Sequence, residues 1–80
     1  MEIEVVGGPA LERLNAALGI RLEPGRFRRE VAGLHRVAGR PRSVAAWTIV
    51  DPAGRVAATV GSADFDRFLA EGAIRLRPSA

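Results

Sequence analysis

None of the 80 residues is a cysteine, and in so short a chain this is the tightest constraint on the fold. Neither a disulfide framework nor a thiolate metal site can staple the chain, and a domain of this size hides only about 60% of its unfolded-chain surface. A small core must therefore suffice, or a second subunit must help, which makes a homo-oligomer such as a homodimer one expectation. Apolar residues make up 48% of the chain and charged residues 26%, the balance of an ordinary globular domain rather than a disordered tract. One compact domain is expected over residues 1–80, with only Pro78-Ser79-Ala80 loose. No apolar run approaches the roughly 18 residues of a membrane span. Met1-Glu2-Ile3-Glu4 carries acids where a signal peptide carries a basic region, so the expected location is cytoplasmic, with no membrane partner.

The element pattern reads as α+β. Ile3, Val5 and Val6 suggest a short first strand, and Gly7-Gly8-Pro9 ends it and opens a helix with proline in its first turn. Leu11, Leu14 and Leu18 recur on one helical face, and Gly19 followed by Ile20 has the form of a left-handed glycine cap. After Arg21-Leu22-Glu23, Pro24-Gly25 is read as the start of a second helix over residues 26–38, because Phe27, Val31, Leu34 and Ala38 repeat at steps of four, three and four. Strand alternation there would place Phe27, Arg29, Val31, Gly33 and His35 on one side and mix core with charge. Gly39-Arg40-Pro41-Arg42 breaks the helix. Val44 to Val50, containing Trp47, Thr48 and Ile49, is rich in strand formers. Asp51-Pro52-Ala53-Gly54 fits a type I turn into Arg55 to Val60, which makes a central β-hairpin packed on helices. Ser62 is the expected cap of a third helix that carries Phe65, Phe68 and Leu69 inward and stops at Gly72, and Ala73 to Arg77 alternates as a last strand. The expected order is β-α-α-β-β-α with a C-terminal strand.

Charge is the most informative functional feature. The net charge is +3, yet from Arg21 to Arg42 seven arginines face two acids, whereas Met1 to Ile20 carries one arginine against three acids and Ser43 to Ala80 four against four. All twelve basic residues are arginine and none is lysine, a bias that genome composition or a hot habitat explains more readily than selection for guanidinium chemistry. On the predicted second helix Arg28, Arg29 and Arg36 point away from the apolar face with Ala32 between them, and Arg26, Arg40 and Arg42 extend the patch. Such a face suits phosphate contact, because guanidinium forks match phosphate oxygens. The leading expectation is a non-catalytic nucleic-acid-binding module, DNA before RNA, that uses Arg26, Arg28, Arg29, Arg36, Arg40 and Arg42; the plain alternative is a solvated helix face.

The helix, the break at Gly19, the second helix and the hairpin resemble in order a winged helix-turn-helix domain, and Leu14-Asn15-Ala16-Ala17-Leu18-Gly19-Ile20 looks like the leucine-glycine turn of such proteins. That resemblance implies a second helix in the major groove and a hairpin wing. Gly39-Arg40-Pro41 also resembles the core of a minor-groove AT-hook, although a helix-to-strand connector accounts for it more simply.

A second expectation is a protein-protein interaction or assembly protein, of adaptor, phage or mobile-element type, that pairs through strand edges at Ile3 to Val6 and Ile74 to Arg77. An enzyme has little to stand on: no cysteine, lysine or tyrosine and one histidine leave His35 as the sole candidate base, and no catalytic constellation or cofactor motif is visible. A minor alternative is a small basic ribonuclease toxin, whose β-α-α-β-β-β-α order is similar. Asp64, Asp66 and Glu71 read as complements to a helix dipole rather than metal ligands, and Trp47 as the largest member of the core rather than a base-stacking platform.

Overall fold

The computed structural model describes residues 1–37 and 40–78. Ala38, Gly39, Ser79 and Ala80 lie outside the described residues, and with them the end of the predicted second helix, the glycine of the Gly-Arg-Pro tripeptide and the last two residues of the predicted loose tail. In chain order the elements are β1 (Glu2–Val5), α1 (Pro9–Leu18), β2 (Gly25–His35), β3 (Val44–Val50), β4 (Val56–Gly61), α2 (Ser62–Ala70) and β5 (Ile74–Arg77). The strands form one five-stranded sheet in the order β4-β3-β2-β1-β5, and every neighbouring pair is antiparallel. The α+β class stands, with a five-stranded antiparallel sheet and two helices.

Local chemistry accounts for most boundaries. Pro9 sits in the first turn of α1, where its missing N–H removes only a group with no helical partner. Gly19 adopts φ 66° as the cap, and the N–H of Ile20 donates to the Asn15 carbonyl at 3.0 Å, the two-bond closure that satisfies the last carbonyls. The Asn15 amide then clamps the link to β2: it donates to the Leu22 carbonyl at 2.9 Å and accepts from the Leu22 N–H at 3.2 Å. The β3–β4 turn forms as its sequence suggests. Gly54 N–H donates to the Asp51 carbonyl, and the Asp51 carboxylate accepts from the N–H groups of Ala53 and Arg55. At α2 the cap is Gly61 rather than Ser62, and no side chain caps that end. Side chains crowd Gly61: an added Cβ would lie 3.3 Å from Val44 and 3.4 Å from the Asp64 carboxylate.

The second predicted helix is a strand. β2 runs 11 residues through the region read as helical, so no helix-turn-helix forms and the resemblance to a winged-helix domain does not hold. The physical reason lies in a β-bulge. Val31 faces Trp47 and Gly33 faces Ala46, which leaves Ala32 as an extra residue. Phe27, Arg29 and Val31 share a face by simple alternation, and the bulge returns Leu34 to that face opposite Ala45. Two ordinary strand steps followed by a bulged one produce the spacing of four and three that mimics a helix. Gly33 takes φ 73° within the bulge, a conformation that disfavours any side chain.

Both helices cover one face of the sheet. Ile3 and Val5 from β1, Ile49 from β3, Ala58 and Val60 from β4 and Ile74 from β5 meet Leu11 and Leu14 of α1 and Phe65 and Phe68 of α2 in a single core. The other face carries no described helix. β1 lies between β2 and β5, so the edge expected at Ile3 to Val6 is already paired on both sides, whereas β5 is an edge strand as expected.

Candidate interaction surface

The six arginines singled out from the sequence fall in three places. Arg26 and Arg28 alternate onto the open face, where Arg26 stands opposite Glu4 and Arg28 opposite Glu2. Arg28 also pairs with Glu30 at 3.2 Å. Arg29 points to the helix-covered face, and its guanidinium lies 3.9 Å from the centroid of the Trp47 ring and 5.0 Å from that of Phe65. Arg36, Arg40 and Arg42 belong to the β2–β3 loop. Arg40 donates to Asp64 at 2.9 Å, and Asp64 is the one buried charged residue among those described. Arg36 donates to the Pro41 carbonyl at 2.9 Å, and Arg42 is exposed.

The open face carries a charge ladder. Glu2 is flanked by Arg28 and Arg77, and Glu4 by Arg26 and Arg75; Arg77 donates to Glu4 at 3.1 Å. A cleft of about 320 Å³ lies beside this ladder, with Glu2, Arg26, Arg28, Pro52 and Arg77 in its wall. Arg75 and Arg77 were not singled out from the sequence. Their only signal was alternation in the last strand, and it takes the β1–β5 pairing to set them beside the acids of a strand 70 residues earlier.

Apolar exposure is concentrated elsewhere. β2 outlasts its neighbour: β1 reaches Arg28, the Met1 carbonyl accepts from the Arg29 N–H, and beyond that no described strand flanks β2 on the side away from β3. Backbone groups alternate in direction along a strand, so after Arg29 the next residue facing this open side is Val31. Across the bulge, where Gly33 and His35 stand opposite Ala46 and Val44, it is Leu34. Among the described large apolar residues these same two are the most exposed, at 77% and 75%. With Ala45, Trp47 and Ser62 they line a shallow groove of about 370 Å³. Sequence periodicity assigned Val31 and Leu34 to the core, and so missed them as surface.

Trp47 forms the floor of this groove while its ring also meets Phe65 at 6.4 Å between centroids. Arg29 lies against the Trp47 ring, outside the residues that line the groove. Its Nε is excluded from solvent and has no hydrogen-bond partner, and among the described residues no carboxylate pairs with its guanidinium.

The remaining titratable groups are dispersed. His35 is exposed at the end of β2, Asp64 holds Arg40, and Glu71 pairs with Arg13. No group of three His, Cys, Asp or Glu side chains able to hold a metal occurs among the described residues, and no described helix is long and apolar enough to cross a membrane. Comparison with protein families, with curated proteins and with solved structures finds no match to this chain.

Proposed function

We propose that this chain is a non-catalytic protein-interaction module that docks a partner against the outer half of β2. The observation that carries this reading is the coincidence, at Val31 and Leu34, of an unpaired strand edge with two large exposed apolar side chains. A monomer seldom exposes clustered apolar groups without use, and an open edge adds main-chain hydrogen bonding to whatever apolar contact the groove provides. The dispersal of Arg28, Arg29 and Arg40 onto local partners favours interaction over a phosphate-binding cluster.

The test places a photo-crosslinking residue at Leu34, and in a control at Ala53 on the exposed β3–β4 turn, in the full chain expressed in its own host. A discrete adduct is expected from Leu34 alone and is expected to vanish when Val31→Ser is added. Adducts absent from Leu34, or identical from both positions, overturn the reading.

A nucleic-acid role is the second reading, and the arginines of the open face favour it. Arg26, Arg28, Arg75 and Arg77 outnumber Glu2 and Glu4 on the ladder, and a basic open sheet suits backbone contact with a single strand. Fluorescence anisotropy with labelled single-stranded and duplex nucleic acid tests it. Binding that survives near-physiological salt and falls with Arg26→Ala and Arg75→Ala supports it; binding that ignores both residues removes it.

A further inference from the structure

We infer that the occupant of the Val31–Leu34 groove is an extended segment of a partner protein carrying an acidic residue two positions from an apolar one, so that both face the same side, with its carboxylate on Arg29. The inference rests on the docking reading above and adds the chemistry of the partner.

Arg29 supplies the argument. A guanidinium set against both the Trp47 and the Phe65 ring is held in place by two aromatic side chains, yet no described carboxylate neutralises it. It is adjacent to the groove, because Val31 follows two residues later on the same face and Trp47, which it covers, forms the groove floor. No residue lining the groove is charged. A carboxylate brought there meets one cation with no competing acid, and two aromatic rings preset the position of that cation, so little side-chain entropy is lost on binding. The excess of arginine from Arg21 to Arg42 adds long-range attraction for an acidic partner.

A second copy of the chain fits this edge poorly. The two-fold register that uses the whole free edge of β2, from Glu30 to His35, sets Val31 against Leu34 and Glu30 against His35. That same register sets Arg29 against Arg36 of the other copy, so the unneutralised guanidinium meets another cation instead of an acid. The bulge at Ala32 further interrupts any long edge-to-edge ladder. A short segment that uses only the outward groups of Val31 and Leu34 avoids both penalties.

Trp47 is the sole tryptophan and lies in the groove, so its emission reports occupancy directly. The probes are two capped hexapeptides with threonine at odd positions and leucine at two of the three even ones, the third even position being aspartate in one and lysine in the other, titrated into the chain. The expected result is a saturable change in Trp47 emission with the aspartate peptide, at least tenfold weaker with the lysine peptide, weakened at least tenfold by Arg29→Gln and abolished by Leu34→Glu. Leu34 is exposed, so Leu34→Glu keeps the test valid if loss of Arg29 disturbs folding; circular dichroism checks both variants. Equal binding of the two peptides overturns the acidic preference while leaving a docking groove. Absence of any change with either peptide overturns the assigned occupant, and the crosslinking experiment then judges the docking reading separately. A dimer in sedimentation that Leu34→Glu dissociates makes a second copy the occupant and overturns the inference.

Discussion

The two halves of β2 differ both in composition and in the strand each pairs with. From Gly25 to Arg28 the strand pairs with β1 and meets β3 only at Arg28, its arginines stand opposite Glu4 and Glu2, and Phe27 packs against the core. From Glu30 to His35 it keeps β3 alone, and Val31 and Leu34 stand in solvent. The inner half alternates Arg26 and Arg28 with Phe27, the outer half carries Val31 and Leu34 with no arginine of its own, and Arg29 stands at the junction. Beside acid-bearing β1 and under the helix layer, the arginines stand opposite carboxylates and Phe27 joins the core; past the end of β1, Val31 and Leu34 become surface. The contrast teaches that here a residue's role follows from how far its neighbours extend.

Four experiments break or sharpen this contrast, taken from the largest expected effect down. Amide hydrogen exchange should separate the halves most clearly. The Val31 amide, facing the open edge, should exchange faster than the Arg29 amide, bonded to the Met1 carbonyl, by about two orders of magnitude or more; equal protection means the outer half is covered, for instance by a second copy. In the core beside Trp47 and Arg29, Phe65→Ala empties a fully buried site and should cost about 3–5 kcal/mol in urea denaturation. A much smaller loss would mean the core closes around the gap. At the bulge that joins the halves, Gly33→Ala forces a side chain into the left-handed region and should cost about 1–2 kcal/mol; no loss would show that the bulge relaxes at little expense. In the outer half, Leu34→Ser should change stability by no more than about 0.5 kcal/mol while weakening the Trp47 emission response to the aspartate peptide. A loss comparable to that of Phe65→Ala would make Leu34 a core residue and remove the contrast.

Elements whose signals are local were legible in the sequence. α1 with its glycine stop, β3 from Val44 to Val50, the Asp51-to-Gly54 turn, the helix bearing Phe65 and Phe68, and the final strand each announce themselves within a few residues through caps, turn chemistry or alternation. Residues 26–38 were not legible in this way, because a bulged strand and a helix share the spacing of Phe27, Val31 and Leu34. The apparent objection to a strand, an arginine on the core side, disappears only once the Trp47 and Phe65 rings are known to lie over Arg29. The candidate site inherited that ambiguity. Its arginines were recognised as unusual, but a helical projection grouped Arg28 with Arg29, which strand alternation sends to opposite faces.

By itself the sequence determined a small α+β domain without staples, a central hairpin, and a concentration of positive charge between Arg21 and Arg42. Only the tertiary structure decided that β1 inserts between β2 and β5, that Asp64 holds Arg40, and that Val31 and Leu34 are left uncovered beside an unneutralised Arg29. The physical reason is range: caps, turns and alternation act over a few residues, whereas strand neighbours, ion pairs and coverage are set by segments that meet only once the chain has folded.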